Sequence, residues 1–484
     1  MLRRLLIAAF LVAWSALSLQ AQEDFRKQYD AFRKGAASEH KAFTDTVNAA
    51  FARAIGADWV KYNLEEGNTR QIRPEPETLP VADGLPATFT VVQVSEAVDT
   101  ISSQWPPVTE AAVWQGREED KALSNKIRFL FYGAEQIVTV PKEYGTFHPK
   151  GISEKDVAAF WEALSRYDYN IILADCAKYR DICGYNDWAV LEWIQALSCA
   201  LFPDNIYSEQ TVFRIFLLNQ YGLMTRMARS GDNLIGLFSA MQPVYSRKYV
   251  VLDTYPFYLT GASLPASEVF TYNASFMKPA RPLDLRVRAP LELGPPEAYQ
   301  TVSKESSLFN SSIELPVNRQ LMRFYDAYPQ TEVFVYARAI PESGFAAALE
   351  AGLKQKLRGV DPVEAVEKLL AFVQMEFRYQ TDAEQFGREK PFFPEENFVY
   401  PSNDCEDRAA LFAYLVRTLT GCATVLLEYP DHICTAVRLP GERNGDHVVI
   451  GGENYYVCDP SYIGATVGMS MNKYKNLSVK VYAL

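Results

Sequence analysis

The stretch Pro401-Ser402-Asn403-Asp404-Cys405-Glu406-Asp407-Arg408-Ala409 decides how the C-terminal part of this chain folds. Asn403 and Asp404 are helix-capping residue types. After them Leu411, Leu415 and Leu419 share one stripe, with Phe412 and Val416 beside it, which predicts an amphipathic helix running to Thr420. Cys405 then stands at a helix N-terminus, where free N–H groups and the helix dipole favour an anion. Such a setting lowers a thiol's pKa and makes it a nucleophile. The plain alternative is a small apolar residue that happens to open a helix.

Beyond the glycine stop at Gly421, Ala423 to Tyr429 predicts an apolar strand. His432 heads a second strand, Ile433 to Leu439, and a loop follows from Pro440 to Asp446. A hairpin comes next, with Val448 to Ile450, a turn at Gly451-Gly452, and Tyr455 to Asp459. A cysteine at a helix start, a histidine at a strand start and an aspartate at a strand end are the three parts of a thiol acyl-transfer site. The thiolate attacks a carbonyl, the imidazole holds and returns the proton, and the carboxylate fixes the imidazole tautomer. His447 is the rival to His432, which is preferred because it heads the strand after the cysteine helix. The oxyanion donors expected are the Cys405 backbone N–H and the Gln385 side chain, with Gln380 or Asn403 as alternatives. Glu406 and Asp407 suit a helix N-terminus but raise the thiol pKa if they face it, an effect that a salt bridge from Arg408 would mute.

The segments Asp404-Cys405-Glu406-Asp407, His432 and Cys458-Asp459-Pro460-Ser461-Tyr462 resemble the transglutaminase-like cysteine protease superfamily in its bacterial branch. The resemblance covers about residues 345–470. It implies a papain-like α+β core, with Cys405, His432 and Asp459 in the catalytic places. Members of that superfamily include peptidases, amidases, crosslinking enzymes and proteins without activity.

Residues 1–21 have the pattern of a secretory signal: Arg3 and Arg4, an apolar run from Leu5 to Leu19, and Ala21 before the cut. Residues 22–150 are an N-terminal helical arm with a mixed region. The arm carries stripes at Phe25, Tyr29 and Phe32 and at Phe43, Val47 and Phe51, and a Pro-rich crossing segment follows at 67–86. Ile127 to Val140, broken at Gly133, predicts a hairpin. Residues 151–262 are helical, then α/β. Ser153 to Asp156 reads as a capping box, and Asn186 caps a helix anchored by Trp188. Shifted by 199, residues 206–260 align on 405–459 without a gap: Gly222 falls on Gly421 and Phe213 on Phe412. The likeness is one of pattern. It suggests a degenerate repeat in which Ile206, Asn233 and Thr260 take the places of Cys405, His432 and Asp459. Residues 263–342 read as β-rich, from the alternation at Leu283, Leu285 and Val287 and at Val333 and Val335. Residues 343–484 are the catalytic domain. Asp361-Pro362 opens its first marked helix. A loop from Lys390 to Glu396 covers the cleft mouth, which Phe392, Tyr400 and Tyr462 line.

The formal charge of -11 and the lack of a basic cluster argue against nucleic acid. No apolar run after residue 21 is long enough for a membrane span, so the mature chain has no transmembrane anchor. Seven cysteines without C-x-x-C spacing and four histidines give no basis for a zinc site, and no metal or organic cofactor is implied. Cys434 and Cys458 lie on neighbouring strands, as a disulfide pair or as small core residues.

The expectation is a multidomain α+β protein, exported to the periplasm or the extracellular space. Its function would be thiol acyl transfer at Cys405, cleaving a peptide, protein or cell-wall stem peptide. The alternative is an inactive binding or scaffold protein of the cell envelope on the same fold.

Overall fold

The structure, a computed structural model, describes residues 41–68, 78–84, 88–100 and 124–484, except 147, 204–206, 262–266 and 277–279, together with residues 27, 35, 38 and 39. The signal-like segment and the stripe of Phe25, Tyr29 and Phe32 lie outside these residues, as does Ile206. Of the second stripe, Val47 and Phe51 are buried on helix α1 (41–55), while Phe43 faces solvent.

From α1 the chain enters β1 (Val60–Asn63) and then runs across to the other half of the molecule. There Ala82 donates to the Ile463 carbonyl at 2.9 Å, and β2 (Val94–Val98) lies parallel to the last strand of the chain. The hairpin of β3 (Ser124–Phe131) and β4 (Ala134–Pro141) turns at Tyr132-Gly133, both at positive φ. That two-residue geometry matches the twist of the flanking strands. Four helices follow: α2 (Glu154–Ser165), α3 (Asn170–Cys183), α4 (Asp187–Leu201) and α5 (Tyr207–Tyr221). Ser153 and Asp156 cap α2 reciprocally, and its apolar face buries Val157, Phe160, Trp161 and Leu164. Asn186 caps α4 by accepting the Ala189 N–H.

Five strands then complete the first sheet: β5 (Thr225–Ser230), β6 (Asn233–Phe238), β7 (Tyr249–Leu252), β8 (Tyr255–Leu259) and β9 (Glu268–Thr271). Its order is β1-β9-β5-β6-β8-β7, antiparallel throughout, with α5 packed on β5 and β6.

Residues 281–289 are buried at Leu283, Leu285 and Val287 but form only isolated bridges, at Arg281 and Leu283. The alternation is real, yet side chains rather than a strand ladder satisfy much of this segment: Asp187 accepts from Asp284 N–H and Gln242 from Leu285 N–H. A hairpin of β10 (Tyr299–Ser306) and β11 (Ser311–Asn318) precedes α6 (Arg319–Asp326). Val333 and Val335, read as a strand, sit in the short helix α7 (Val333–Ala337), in which every side chain is buried. A run that short carries no distinguishing period.

The C-terminal region begins with α8 (Ser343–Lys356) and α9 (Pro362–Glu376), the latter capped by Asp361. Next come β12 (Arg378–Tyr379), α10 (Asp382–Phe386), α11 (Glu396–Val399), β13 (Ser402–Asn403) and α12 (Cys405–Thr420). The segment read as a covering loop is packed core instead. Lys390 is buried in an ion pair with Glu396 and lies near the rings of Phe386, Phe392 and Tyr400. Gly421 ends α12 at φ 71°, a left-handed conformation that favours glycine. The second sheet is built from β14 (Thr424–Tyr429), β15 (His432–Arg438), β16 (His447–Ile450), β17 (Glu453–Cys458) and β18 (Val479–Ala483). Its order is β16-β17-β15-β14-β18-β2, and α12 packs on β14 and β15.

The two sheets share one strand order, and their central pairs share one register. Thr225 faces Phe238 and Ser230 faces Asn233; 199 residues on, Thr424 faces Val437 and Tyr429 faces His432. The largest buried cluster is continuous from Phe51 of α1 through α2 to α5 to Cys405, Ile433 and Tyr482. No helix of the described residues is long and apolar enough to cross a membrane.

Candidate active site

Asp404 takes an extended backbone at the N-cap, so Cys405 opens α12 with its sulfur at the head of the helix. Asp407, one turn on, accepts the Asp404 N–H at 3.3 Å and the Phe392 N–H at 2.7 Å. Asn403 is no cap: its amide donates to Asn397 Oδ1, and its oxygen accepts from Arg408 Nε at 3.0 Å. Arg408 makes no salt bridge to Glu406 or Asp407. Its guanidinium goes to the backbone carbonyls of Val373, Gln374, Phe377 and Pro460, clamping the end of α9 and the Asp459 turn to the start of α12. Three carbonyls at the end of α9 and one in the Asp459 turn need donors, and one planar fork supplies them.

The hydrophobic pairing of β14 with β15 places His432 at the edge nearest the head of α12. Its Nε2 lies 2.9 Å from Asp459 Oδ2, and both residues are buried. Asp459 Oδ1 accepts the Ser461 N–H, which fixes the carboxylate in its turn. The Ile433 N–H, on the residue after His432, interacts with the Cys405 sulfur. Cys405, His432 and Asp459 are thus assembled in one place. Cys405 and His432 make no hydrogen bond to one another among the described residues. The thiol instead lies 3.1 Å from Glu406 Oε2. Burial pushes the Cys405 thiol well above its ordinary value, and Glu406 and Asp404 push it further; the Ile433 N–H works the other way. The dipole of α12 is outweighed by desolvation and two carboxyl groups.

His447 stands apart. Its Nδ1 is bonded to the Gly445 carbonyl at 2.9 Å, and its ring lies against Tyr456. Gln385 spends its amide on the Ser402 carbonyl at 3.2 Å, one residue before Asn403. Tyr400 and Phe392 stack on one another. Cys434 and Cys458 form no disulfide with one another, and none of the seven cysteines is bridged.

Three residues that the sequence reading passed over complete the site. The Tyr474 ring stacks on His432, centroids 5.0 Å apart and 13° from parallel. It belongs to an irregular segment with no period to flag it. Gln374 donates to the carbonyls of Asp459, Tyr462 and Ala465, so it braces the aspartate turn. Its place four residues after Leu370, on the apolar face of α9, is the signal that would have found it. Asp382 is the third: its carboxyl is pushed up to about 8, by burial first and Glu406 next.

Asp382, Asp404 and Asp407 bring oxygens within 4.8 Å of one another, as do Asp382, Glu389 and Glu406. Such sets suit a hard cation in principle. They suit shared protons equally, and a carboxyl titrating near 8 holds its proton at neutrality. His432, Cys434 and Asp459 are as close together, but the histidine and aspartate are engaged with each other.

The site is closed. Cys405 and His432 are each 1% exposed and Asp459 2%. No family model matches this chain, and no curated protein or solved structure matches it either.

Proposed function

We propose that the chain is an exported cysteine acyl-transfer enzyme of transglutaminase-like type, with a papain-like core, that hydrolyses amide bonds of peptides or proteins through Cys405. The observation that carries this reading is the buried His432–Asp459 pair, 2.9 Å apart, beside a cysteine at the head of a helix. With Nε2 committed to Asp459, the free Nδ1 of His432 is the nitrogen left to take the thiol proton. The sulfur then attacks the scissile carbonyl. The tetrahedral oxyanion meets the N–H groups of the first turn of α12. His432 returns the proton to the leaving amine, and a thioester remains on Cys405. Water, deprotonated by His432, attacks the thioester and releases the acid, and the thiol takes the proton back. Hydrolysis is favoured over crosslinking because water is the default acceptor. The chain enters this cycle from a resting form in which Cys405 is protonated and held by Glu406, and substrate entry displaces the Tyr474 ring from His432.

A specific observation also favours a second reading, a catalytically silent scaffold: the thiol is sealed from solvent and faces carboxyl groups that oppose its ionisation. Wild type and Cys405→Ala, matched for fold by circular dichroism, are incubated with a proteome-derived peptide library, and new termini are read by mass spectrometry. Termini found only with wild type support the enzyme. Identical peptide profiles for the two proteins overturn it in favour of the scaffold. Dansylcadaverine incorporation in the same assay would mark amine transfer instead of hydrolysis.

A further inference from the structure

A cavity of about 450 Å³ lies among β3, α4, α5 and the residues that follow β8, far along the chain from Cys405. Its walls are apolar at Leu130, Phe131, Trp188 and Leu191, and its polar floor is Arg214 and Thr260. The volume lies in the range of small-ligand sites, roughly 300–1,000 Å³. The cavity opens beside Thr260, the residue that stands where Asp459 stands 199 residues later in a sheet of the same strand order.

Arg214 is the unusual feature. One arm donates to Thr260 Oγ1 at 3.0 Å, while Nε is buried without a partner. No carboxylate pairs with it among the described residues. Burial draws its pKa down to about 10, and Cys199 is the neighbour that opposes this. The acid on the same wall, Glu192, is already engaged: the Tyr132 hydroxyl donates to it, and Arg247 stands against it. A half-buried guanidinium with a sealed Nε and no counter-charge is costly to keep. The fold nevertheless makes room for it. Gly236 sits in the middle of β6, where glycine weakens a strand. A Cβ at Gly236 would fall 2.6 Å from Arg214 Nη2 and 2.9 Å from Thr260 Oγ1. The corresponding residue of the second sheet is Thr435, which bonds the Cys458 carbonyl in a filled core.

We propose that this cavity binds a carboxylate carried on an apolar body, anchored by Arg214. A planar fork with a free N–H matches a carboxylate, and the aromatic wall accepts the attached group. The chemistry is that of a free aryl-alkyl acid or of the C-terminal residue of a peptide. The site does not involve Cys405 and stands or falls apart from its activity.

The test is calorimetric titration of the full chain with 3-phenylpropionate and its uncharged amide, and with acetyl-Ala-Ala-Phe carrying a free or an amidated C-terminus. The expected result is saturable binding at least tenfold tighter for the acid than for the amide in one of the two pairs. The pair that shows it names the source: a small free acid or a peptide terminus. Gly236→Ala, which pushes the end of Arg214 aside and whose fold is checked by its thermal unfolding curve, is expected to cost tenfold or more. Cys405→Ala binds as wild type. Equal binding of acid and amide in both pairs, no binding at millimolar concentration, or full binding by both Gly236→Ala and Arg214→Gln would overturn the assignment.

Discussion

Two side chains beside the Cys405 thiol and its histidine, Glu406 and Tyr474, can each be changed singly. Glu406 takes the thiol's proton donation at 3.1 Å, and with burial it holds the thiol well above its ordinary value. Glu406→Gln removes the charge and keeps the shape, so the pH midpoint of iodoacetamide labelling at Cys405 is expected to move down, by roughly one pH unit or more for a side chain this desolvated. An unchanged midpoint would place the control of the thiol elsewhere. Tyr474 covers His432 by ring stacking. Tyr474→Ala opens that face, and labelling of Cys405 at fixed pH is expected to rise about tenfold, roughly the effect of a 1.4 kcal/mol change in an opening equilibrium. The cysteine, histidine and aspartate were legible because each stands at the end of an element with clear punctuation. Their neighbour Tyr474 was not, because it reaches the site through an irregular loop that no periodicity marks.

At the scale of elements, Arg408 holds α12, α9 and the Asp459 turn together through four backbone carbonyls. Arg408→Met strands those acceptors in a buried place, at a cost of about 3–5 kcal/mol for breaking a buried charged network. Arg408→Lys recovers little of this, since one ammonium cannot present donors in the same plane. Both are read as shifts in the urea midpoint, and a Lys variant as stable as wild type would show that the charge matters and the fork does not. Capping signals served well at this scale: Ser153, Asn186 and Asp361 each bond the first turn they were expected to open. Pattern failed where an apolar alternation lacked a ladder. Leu283, Leu285 and Val287 are buried, but beyond the bridges at Arg281 and Leu283 the segment is tied by Asp187 and Gln242 and not by a strand ladder. The Lys390 to Glu396 segment misled for a related reason. Its proline and charge content reads as loop, while Lys390 and Glu396 pair inside the fold.

Across the whole molecule, two sheets of one strand order share a continuous core, and several carboxyl groups of the fold are removed from water. Burial pushes Glu192 up to about 6, Glu395 up to about 7 and Asp382 up to about 8, and it also raises Glu396, Asp404 and Asp407. The sign of the consequence is fixed by linkage. Each of these groups binds its proton more tightly folded than unfolded, where the reference values are about 4. The folded state therefore holds more protons than the unfolded state between about pH 4 and pH 8, and stability falls as pH rises through that window. Carboxyls with lowered values, Asp284, Glu314 and Asp431, act below it and do not offset the trend. Urea midpoints are expected to be higher at pH 5 than at pH 8. Glu395 isolates the effect: one oxygen accepts the Glu342 N–H at 2.8 Å, and the other is buried without a partner. Glu395→Gln supplies a neutral group of the same size. It should leave stability at pH 5 nearly unchanged and raise it at pH 8, by up to about 1–3 kcal/mol, since each tenfold change in proton affinity is worth about 1.4 kcal/mol. A midpoint that rises from pH 5 to pH 8 in wild type, with Glu395→Gln following it in parallel, would mean that these carboxyls reach water or a counter-charge in solution and are not held protonated by the fold.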